Sequence, residues 1–146
     1  MFGFLFRRKK EAAGKPRSAV VGEWGEGKAA AFLKTAGFQI VGRNVRPGSR
    51  LDEIDIIAKK GETLVFVEVK TRQQETFGRP ARAVDKDKRR ALNRAAAAYL
   101  RKARYPDLFY RFDVIEVLGQ PEDPTPPVIR HIEDAFPFEA RRVFPL

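Results

Sequence analysis

The 146-residue sequence has no cysteine and only one histidine. Disulfides and thiolate metal sites are therefore excluded, and a single histidine, His131, cannot form a ligand cluster, so we expect it to be structural or exposed. No stretch approaches the roughly 20 apolar residues needed to span a bilayer. The apolar run at residues 2–6 is too short for the core of a signal peptide, and its charges follow it. Together these absences favour a cytoplasmic protein.

Acidic residues are also scarce, with 19 Asp and Glu against 29 Lys and Arg, a formal net charge of +10. Such a balance suits a phosphate-rich partner such as nucleic acid, or an anionic membrane surface. The length predicts one domain with a core of its own. We predict a flexible basic tail over residues 1–18, the domain over residues 19–136, and a basic, aromatic extension over residues 137–146.

A short run of β-branched and aromatic residues at 63–71 predicts a buried strand, and residues 51–58 predict the strand before it. With Lys60 and Gly61 between them, the two should form a hairpin. If Gly61 and Glu62 are the central turn residues, Asp55 lies opposite Glu68. If Lys60 and Gly61 are central, Asp55 reaches Glu68 diagonally. Both registers put these acids on one sheet face.

Glu53 and Lys70 share that face, so three carboxylates meet one ammonium group. A cross-strand salt-bridge ladder would contribute only about 0.2–1 kcal/mol per pair. Like charges about 4 Å apart repel by about 4 kcal/mol at an effective dielectric of 20. A hard divalent cation would relieve that repulsion, because Mg²⁺ is held by carboxylates, waters and phosphate oxygens. We favour a metal site over a ladder.

Residues 19–36 predict a helix that ends at Gly37. Glu26 lies on the same stripe as Ala30 and Leu33, which face inward. Two interpretations stay open for Glu26: an acid that belongs to the site, or a surface residue beside Lys28.

Residues 38–46, 110–118 and 128–133 predict three more strands, the last at a sheet edge. A long helix should begin after an N-cap at Asp85 and run from residue 86 to about 103. This helix is strongly basic, and its excess of positive charge predicts phosphate contacts. The candidate contacts are Lys88, Arg89 and Arg94.

The ordered set of motifs resembles the PD-(D/E)XK nuclease core of archaeal Holliday-junction resolvases and, more closely, the YraN family of restriction-endonuclease-like bacterial proteins. It includes Gly25-Glu26, residues 53–58, Glu68-x-Lys70 with its strand, Lys88, and residues 111–114, and it extends to His131-Ile132 and Ala135-Phe136. The resemblance implies an α/β fold with a mixed sheet flanked by helices, in the order α-β-β-β-α-β-β. It also implies metal-dependent hydrolysis of DNA phosphodiesters, including branched or junction DNA. Asp52 departs from the family pattern, which has glycine there.

The resemblance further implies roles for single residues. Asp55 and Glu68 would hold Mg²⁺ or Mn²⁺ with help from Glu26 and the Val69 carbonyl, and Lys70 would stabilise charge on the scissile phosphate. The remaining candidates are Glu53 as an auxiliary acid, and Arg72 beside the helix cations as a contact to the DNA backbone. A two-fold symmetric junction would call for a homodimer. The alternatives are a non-cleaving nucleic-acid-binding module with the same fold, and an interaction domain kept soluble by its charge.

Overall fold

The computed structural model describes residues 14–48, 52–73 and 84–139 of the chain. Most of the predicted basic tail and the end of the C-terminal extension lie outside these ranges. Within these ranges, two helices and five strands follow one another in the predicted order α-β-β-β-α-β-β, which confirms the α/β fold. They are α1 (Arg17–Thr35), β1 (Gln39–Val45), β2 (Ile54–Lys60), β3 (Thr63–Arg72), α2 (Lys86–Lys102), β4 (Phe109–Leu118) and β5 (Val128–Phe136).

The β2–β3 hairpin has the first of the two predicted registers. Lys60 pairs with Thr63 and Ile56 pairs with Val67, so Gly61 and Glu62 are the central turn residues and Asp55 lies across from Glu68. Gly61 has a φ of +58°, which a residue with a side chain rarely adopts and which a type II′ turn needs at this position. The turn therefore sets which acids meet.

The sheet order is β1-β2-β3-β4-β5, so strands that follow one another in the chain are neighbours in space. All neighbours are antiparallel except β3 and β4, which run parallel. A parallel pair needs a crossover connection, and α2 supplies it. The sheet is mixed, as predicted.

Helices cover both faces of the sheet, and each face has its own core. Ala29, Ala30 and Leu33 of α1 pack with Val65 and Val67 on one face. On the other face, the apolar stripe of α2 packs with Leu64, Phe66, Phe112 and Val114. Because side chains alternate along β3, Glu68 and Lys70 continue the row of Leu64 and Phe66 and lie on the α2 side.

Two helix ends have specific causes. Asp85 caps α2, where its Oδ1 accepts a hydrogen bond from the Lys88 amide at 2.8 Å, as predicted. Gly37 follows α1 with a φ of +92°, and this left-handed residue turns the chain into β1. In the described part of the chain, neither helix has the length and apolar character that a membrane-spanning helix requires.

The single histidine has a structural role, which is one of the two expectations stated for it above. His131 on β5 makes a 2.7 Å contact from Nε2 to the carboxylate of Asp113, which is fully buried on β4. Its ring meets Phe32 and Phe38 edge to face. Beyond β5, Phe138 stacks on Phe112 with ring centroids 5.0 Å apart, so the start of the C-terminal extension packs on the core.

Candidate functional site

Asp55 and Glu68 lie together where β2 begins and β3 nears its end. The Asp55 Oδ2 atom accepts a 2.8 Å hydrogen bond from the backbone amide of Val69, which fixes the carboxylate over β3. Lys88 of α2 approaches the same place, with Nζ 3.7 Å from Glu68 Oε1. The hairpin and α2 thus bring the central residues of the predicted site together.

Glu26 joins this group from α1. Oxygen atoms of Glu26, Glu53 and Asp55 all lie within 4.8 Å of one another, a spacing at which one cation could contact all three. The amide of Asn44 donates a 2.9 Å hydrogen bond to Glu26 Oε2, and Glu53 is held by Arg46 at 3.0 Å. The structure therefore favours the interpretation of Glu26 as part of the site.

A close helix–strand contact sets the position of Glu26. A Cβ atom added to Gly25 would lie 1.9 Å from Thr71 Oγ1 on β3, so only glycine allows α1 to approach the strand this closely. Glu26 follows Gly25 in the helix, so the close approach of α1 to β3 also brings Glu26 to the acidic group. Gly25 therefore helps to position Glu26.

Burial and mutual repulsion raise the pKa values of these acids. Desolvation, followed by the charge of Asp55, raises the pKa of Glu68 to about 8. Desolvation, followed by the charges of Asp55 and Glu53, raises the pKa of Glu26 to about 7. Desolvation also raises the pKa of Asp55 against the Val69 hydrogen bond and the Lys88 charge, which lower it. The protein alone therefore does not neutralise the group.

One atom shows this most directly. Glu68 Oε2 is buried and finds no hydrogen-bond partner within the described ranges. Buried polar atoms are almost always partnered, because an unpaired one costs about 1–3 kcal/mol, and more when it is charged. Carboxylate oxygens such as this one and those of the neighbouring Asp55 are the ligands that a hard cation such as Mg²⁺ or Mn²⁺ takes.

Lys70 follows Glu68 on the same face of β3 and is half-buried. Desolvation, then the charge of Arg72, lowers the pKa of Lys70, while Glu68 and Glu116 raise it. Glu116 is the register partner of Lys70 on β4 and is 3% exposed. Its Oε1 lies 3.8 Å from Arg130 Nη1. The ammonium group of Lys70 thus stands between two acids at the edge of the group.

The three predicted helix contacts face in different directions. Lys88 points into the acidic group, as described above. Arg94 pairs with Asp52 at 3.1 Å, which accounts for the additional carboxylate of this chain. Arg89 lies over the ring of Phe136, with its Cζ 5.7 Å from the centroid. Arg72, the fourth predicted contact, ends β3 and accepts a backbone hydrogen bond from Gly119.

Two residues of the site, Asn44 and Glu116, were not predicted from the sequence. Each had a signal. Asn44 interrupts the strand pattern of β1 with a residue that tolerates left-handed backbone, and its φ is +50°. Glu116 is an acid within a strand that is apolar on both faces, and such a strand can hold a charge only beside a partner.

A cleft of about 490 Å³ opens beside the acids. Glu26, Val69 and Thr71 line it, together with Arg17, Ser18 and Gly22 from the first turns of α1. Glu26 of the acidic group therefore faces this cleft. Arg17 is held by Glu122 of the β4–β5 loop at 2.5 Å.

Comparisons with known proteins identify a family that this chain matches. The family model described as "Uncharacterised protein family UPF0102" matches residues 25–117. The chain is similar to the UPF0102 protein of Geotalea daltonii, at 48% identity over 84% of this chain and 94% of the relative. It is also similar to those of Symbiobacterium thermophilum (48%, over 70% and 85%) and Geobacter sulfurreducens (42%, over 84% and 93%). The matched region runs from Gly25 to the end of β4 and includes the whole acidic group.

Proposed function

The chain belongs to the UPF0102 (YraN) family of restriction-endonuclease-like proteins, and from this premise we propose that it is a Mg²⁺- or Mn²⁺-dependent nuclease that hydrolyses phosphodiester bonds of DNA. The observation that carries the proposal is the buried Oε2 of Glu68, which has no partner within the described ranges, next to Asp55, which itself clusters with Glu26 and Glu53. The oxygens of a buried acid with a purely structural role normally accept hydrogen bonds from protein donors.

Asp55 and Glu68 would hold the metal, and Glu26 would complete the set directly or through water. The hydrogen bond from the Val69 amide leaves Asp55 one orientation. A bound divalent ion would supply charge for an attacking hydroxide and for the phosphoryl oxygens. Glu53, held by Arg46, would remain an auxiliary acid at the rim.

Lys70 would stabilise negative charge that develops on the phosphate. A compact ammonium group suits this task as a point charge, and preorganised charge of this kind typically contributes most to lowering a barrier. Glu68 and Glu116 stand on either side of Lys70 and favour its charged form. Branched DNA as the substrate and a homodimer as the acting species belong to the same proposal.

The test is calorimetric titration with Mn²⁺ beside a cleavage assay on branched, nicked and linear DNA, with EDTA as the blank. Wild type should bind Mn²⁺ and cleave at least one substrate, and Asp55→Asn should lose both. Asp52→Asn is the matched control, because Asp52 carries the same charge nearby but is paired with Arg94. No Mn²⁺ binding with DNA present, together with no cleavage, would overturn the proposal.

One contact favours the second candidate, a nucleic-acid-binding module that does not cleave. Lys88 lies 3.7 Å from Glu68 and supplies part of the positive charge that a metal would bring. If this ammonium group is the permanent counterion, Lys88→Gln should weaken folding and leave no Mn²⁺ site. If a metal displaces it, the same variant should bind Mn²⁺ more tightly than wild type.

A further inference from the structure

A second cleft, of about 300 Å³, lies at the start of α2. Lys86, Arg89 and Arg90 line it together with Asn93, Pro137 and Glu139. The cleft is thus formed by three cations from one helical turn and by the segment that follows β5. Its volume is at the lower end for a ligand pocket, enough for a phosphate group and part of a sugar.

Arg89 of this cleft has a buried hydrogen-bond donor, Nε, that has no partner among the described residues. The guanidinium itself packs over Phe136. The aromatic contact fixes the plane of the guanidinium. A planar, fixed guanidinium is the group best suited to bind two oxygens of a phosphate at once.

The other cations of the cleft are held loosely, and one acid competes with a ligand. Arg90 Nη1 lies 3.9 Å from Asp87, and both side chains are largely exposed. Glu139 brings a carboxylate to the cleft, and its backbone amide is fixed by Asn93 Oδ1 at 2.8 Å. Three cations against this one acid leave an excess of positive charge.

We propose that this cleft binds a phosphate of the nucleic-acid backbone next to the scissile position. This inference rests on the proposed function, in which the partner is nucleic acid. It adds where the nucleic-acid strand runs on the protein surface. Residues 86–90 span one helical turn, about 5.4 Å, and Lys88 within that turn contacts Glu68 of the acidic group. Lys86 and Arg90 lie about 160° around the helix axis from Lys88, so a strand seated at the acids would reach the cleft by crossing the first turn of α2.

The experiment measures binding in EDTA, so that it does not depend on cleavage. Fluorescence anisotropy with labelled duplex DNA, read between 50 and 200 mM salt, compares wild type with the cleft pair Lys86→Gln and Arg90→Gln. The matched control is Arg101→Gln with Lys102→Gln, which removes the same charge from the last turn of the same helix. Loss of one phosphate contact should flatten the slope of log affinity against log salt by about 0.9.

The slope change corresponds to about a 3.5-fold smaller loss of affinity over this salt range in the cleft pair, and the control pair should match wild type. Glu139→Gln should tighten binding, because it removes the competing acid. In NMR spectra, the Arg89 Nε resonance should shift when DNA is added.

Equal slope changes in the two pairs would overturn the proposal, since net charge alone would then explain them. A shift of Arg89 Nε with pyrophosphate, but unchanged DNA affinity in the cleft pair, would also overturn it and assign the cleft to a small phosphate ligand. If the slopes behave as expected while Mn²⁺ supports no cleavage, the cleft assignment stands and the nuclease assignment fails.

Discussion

Asp113 and Glu68 are buried carboxylates on this sheet, and they differ in how many hydrogen-bond partners their oxygens have. Asp113 is fully buried, and each of its oxygens has two partners: Arg111 Nε and the Asp134 amide on one, Arg111 Nη2 and His131 Nε2 on the other. Glu68 is 13% exposed in its side chain and keeps one oxygen without a partner in the described part of the chain.

The chain therefore supplies donors to both oxygens of Asp113, a buried acid with a structural role. One of the donors is the amide of Asp134, a residue with a left-handed backbone conformation and a φ of +49°. Glu68 has fewer donors among the described residues, and a second acid, Asp55, lies next to it. This difference indicates that the hydrogen-bond donors of the protein do not compensate Glu68 as they compensate Asp113, and the following predictions test this comparison.

The largest expected effect is on stability at the satisfied acid. Asp113→Asn should lower the free energy of unfolding by about 3–5 kcal/mol, because an amide group would face donors and leave Arg111 uncompensated. Glu68→Gln should cost less than about 1 kcal/mol, or stabilise the protein, since it relieves repulsion. Urea denaturation in EDTA at pH 7.5 measures both. Equal losses would break the comparison.

Removal of a cation at each group should separate activity from stability. Lys70→Ala should lower turnover by about 10²- to 10³-fold and leave Mn²⁺ binding intact, because no metal ligand is lost. Arg111→Ala, at Asp113, should destabilise the protein but leave the turnover of the folded fraction near wild type. Single-turnover cleavage and calorimetry report these quantities. A Lys70→Ala variant that cleaves like wild type would remove Lys70 from the mechanism.

The helix–strand contact offers a test of how Glu26 is placed. Gly25→Ala should cost about 1–3 kcal/mol of stability and weaken Mn²⁺ binding, because α1 must move away from Thr71. Gly27→Ala is the control: nothing lies within 4 Å of its added Cβ, so it should stabilise α1 by about 0.5–1 kcal/mol. Unchanged Mn²⁺ affinity in Gly25→Ala would exclude Glu26 as a ligand.

The smallest expected effect is a pH dependence of the melting temperature without metal. The pKa of Glu68 is raised from 4.5 to about 8, so the folded state holds a proton that the unfolded state has released. Stability from this proton is complete below pH 4.5 and is lost as pH rises to 8.

In EDTA the melting temperature should therefore fall between pH 5 and pH 8.5. Saturating Mn²⁺ should reverse the fall, and Glu68→Gln should flatten it. A flat profile for wild type in EDTA would show that the acids do not repel one another in the folded protein.

The sequence predicted the parts of this structure that depend on local chemistry. Alternation along β3 and the turn at Gly61 determine that Asp55 meets Glu68, and both can be read without knowledge of the rest of the chain. The N-cap at Asp85 and the stop at Gly37 were predicted for the same reason.

Partners far apart in the sequence could not be predicted in this way. The contact of Lys88 with Glu68 depends on how α2 crosses the sheet, and the pairing of Lys70 with Glu116 depends on the parallel register of β3 and β4. Periodicity identifies each of these elements but not how far one slides past another. The same limit explains why the cations of α2 were grouped as one surface although they face three different environments.

The sequential strand order has a consequence for the order of folding. Glu26 and Asp55 are 29 positions apart, and Asp55 and Glu68 are 13 apart, so short loops suffice to bring the acids together. The pairing of β3 with β4 must close the longer loop through α2, and it brings Lys88 with it. Because local contacts form first, the acids gather before their counterion arrives. At the proposed metal site, divalent cations would thus stabilise the nascent hairpin while the second half of the chain is still unfolded.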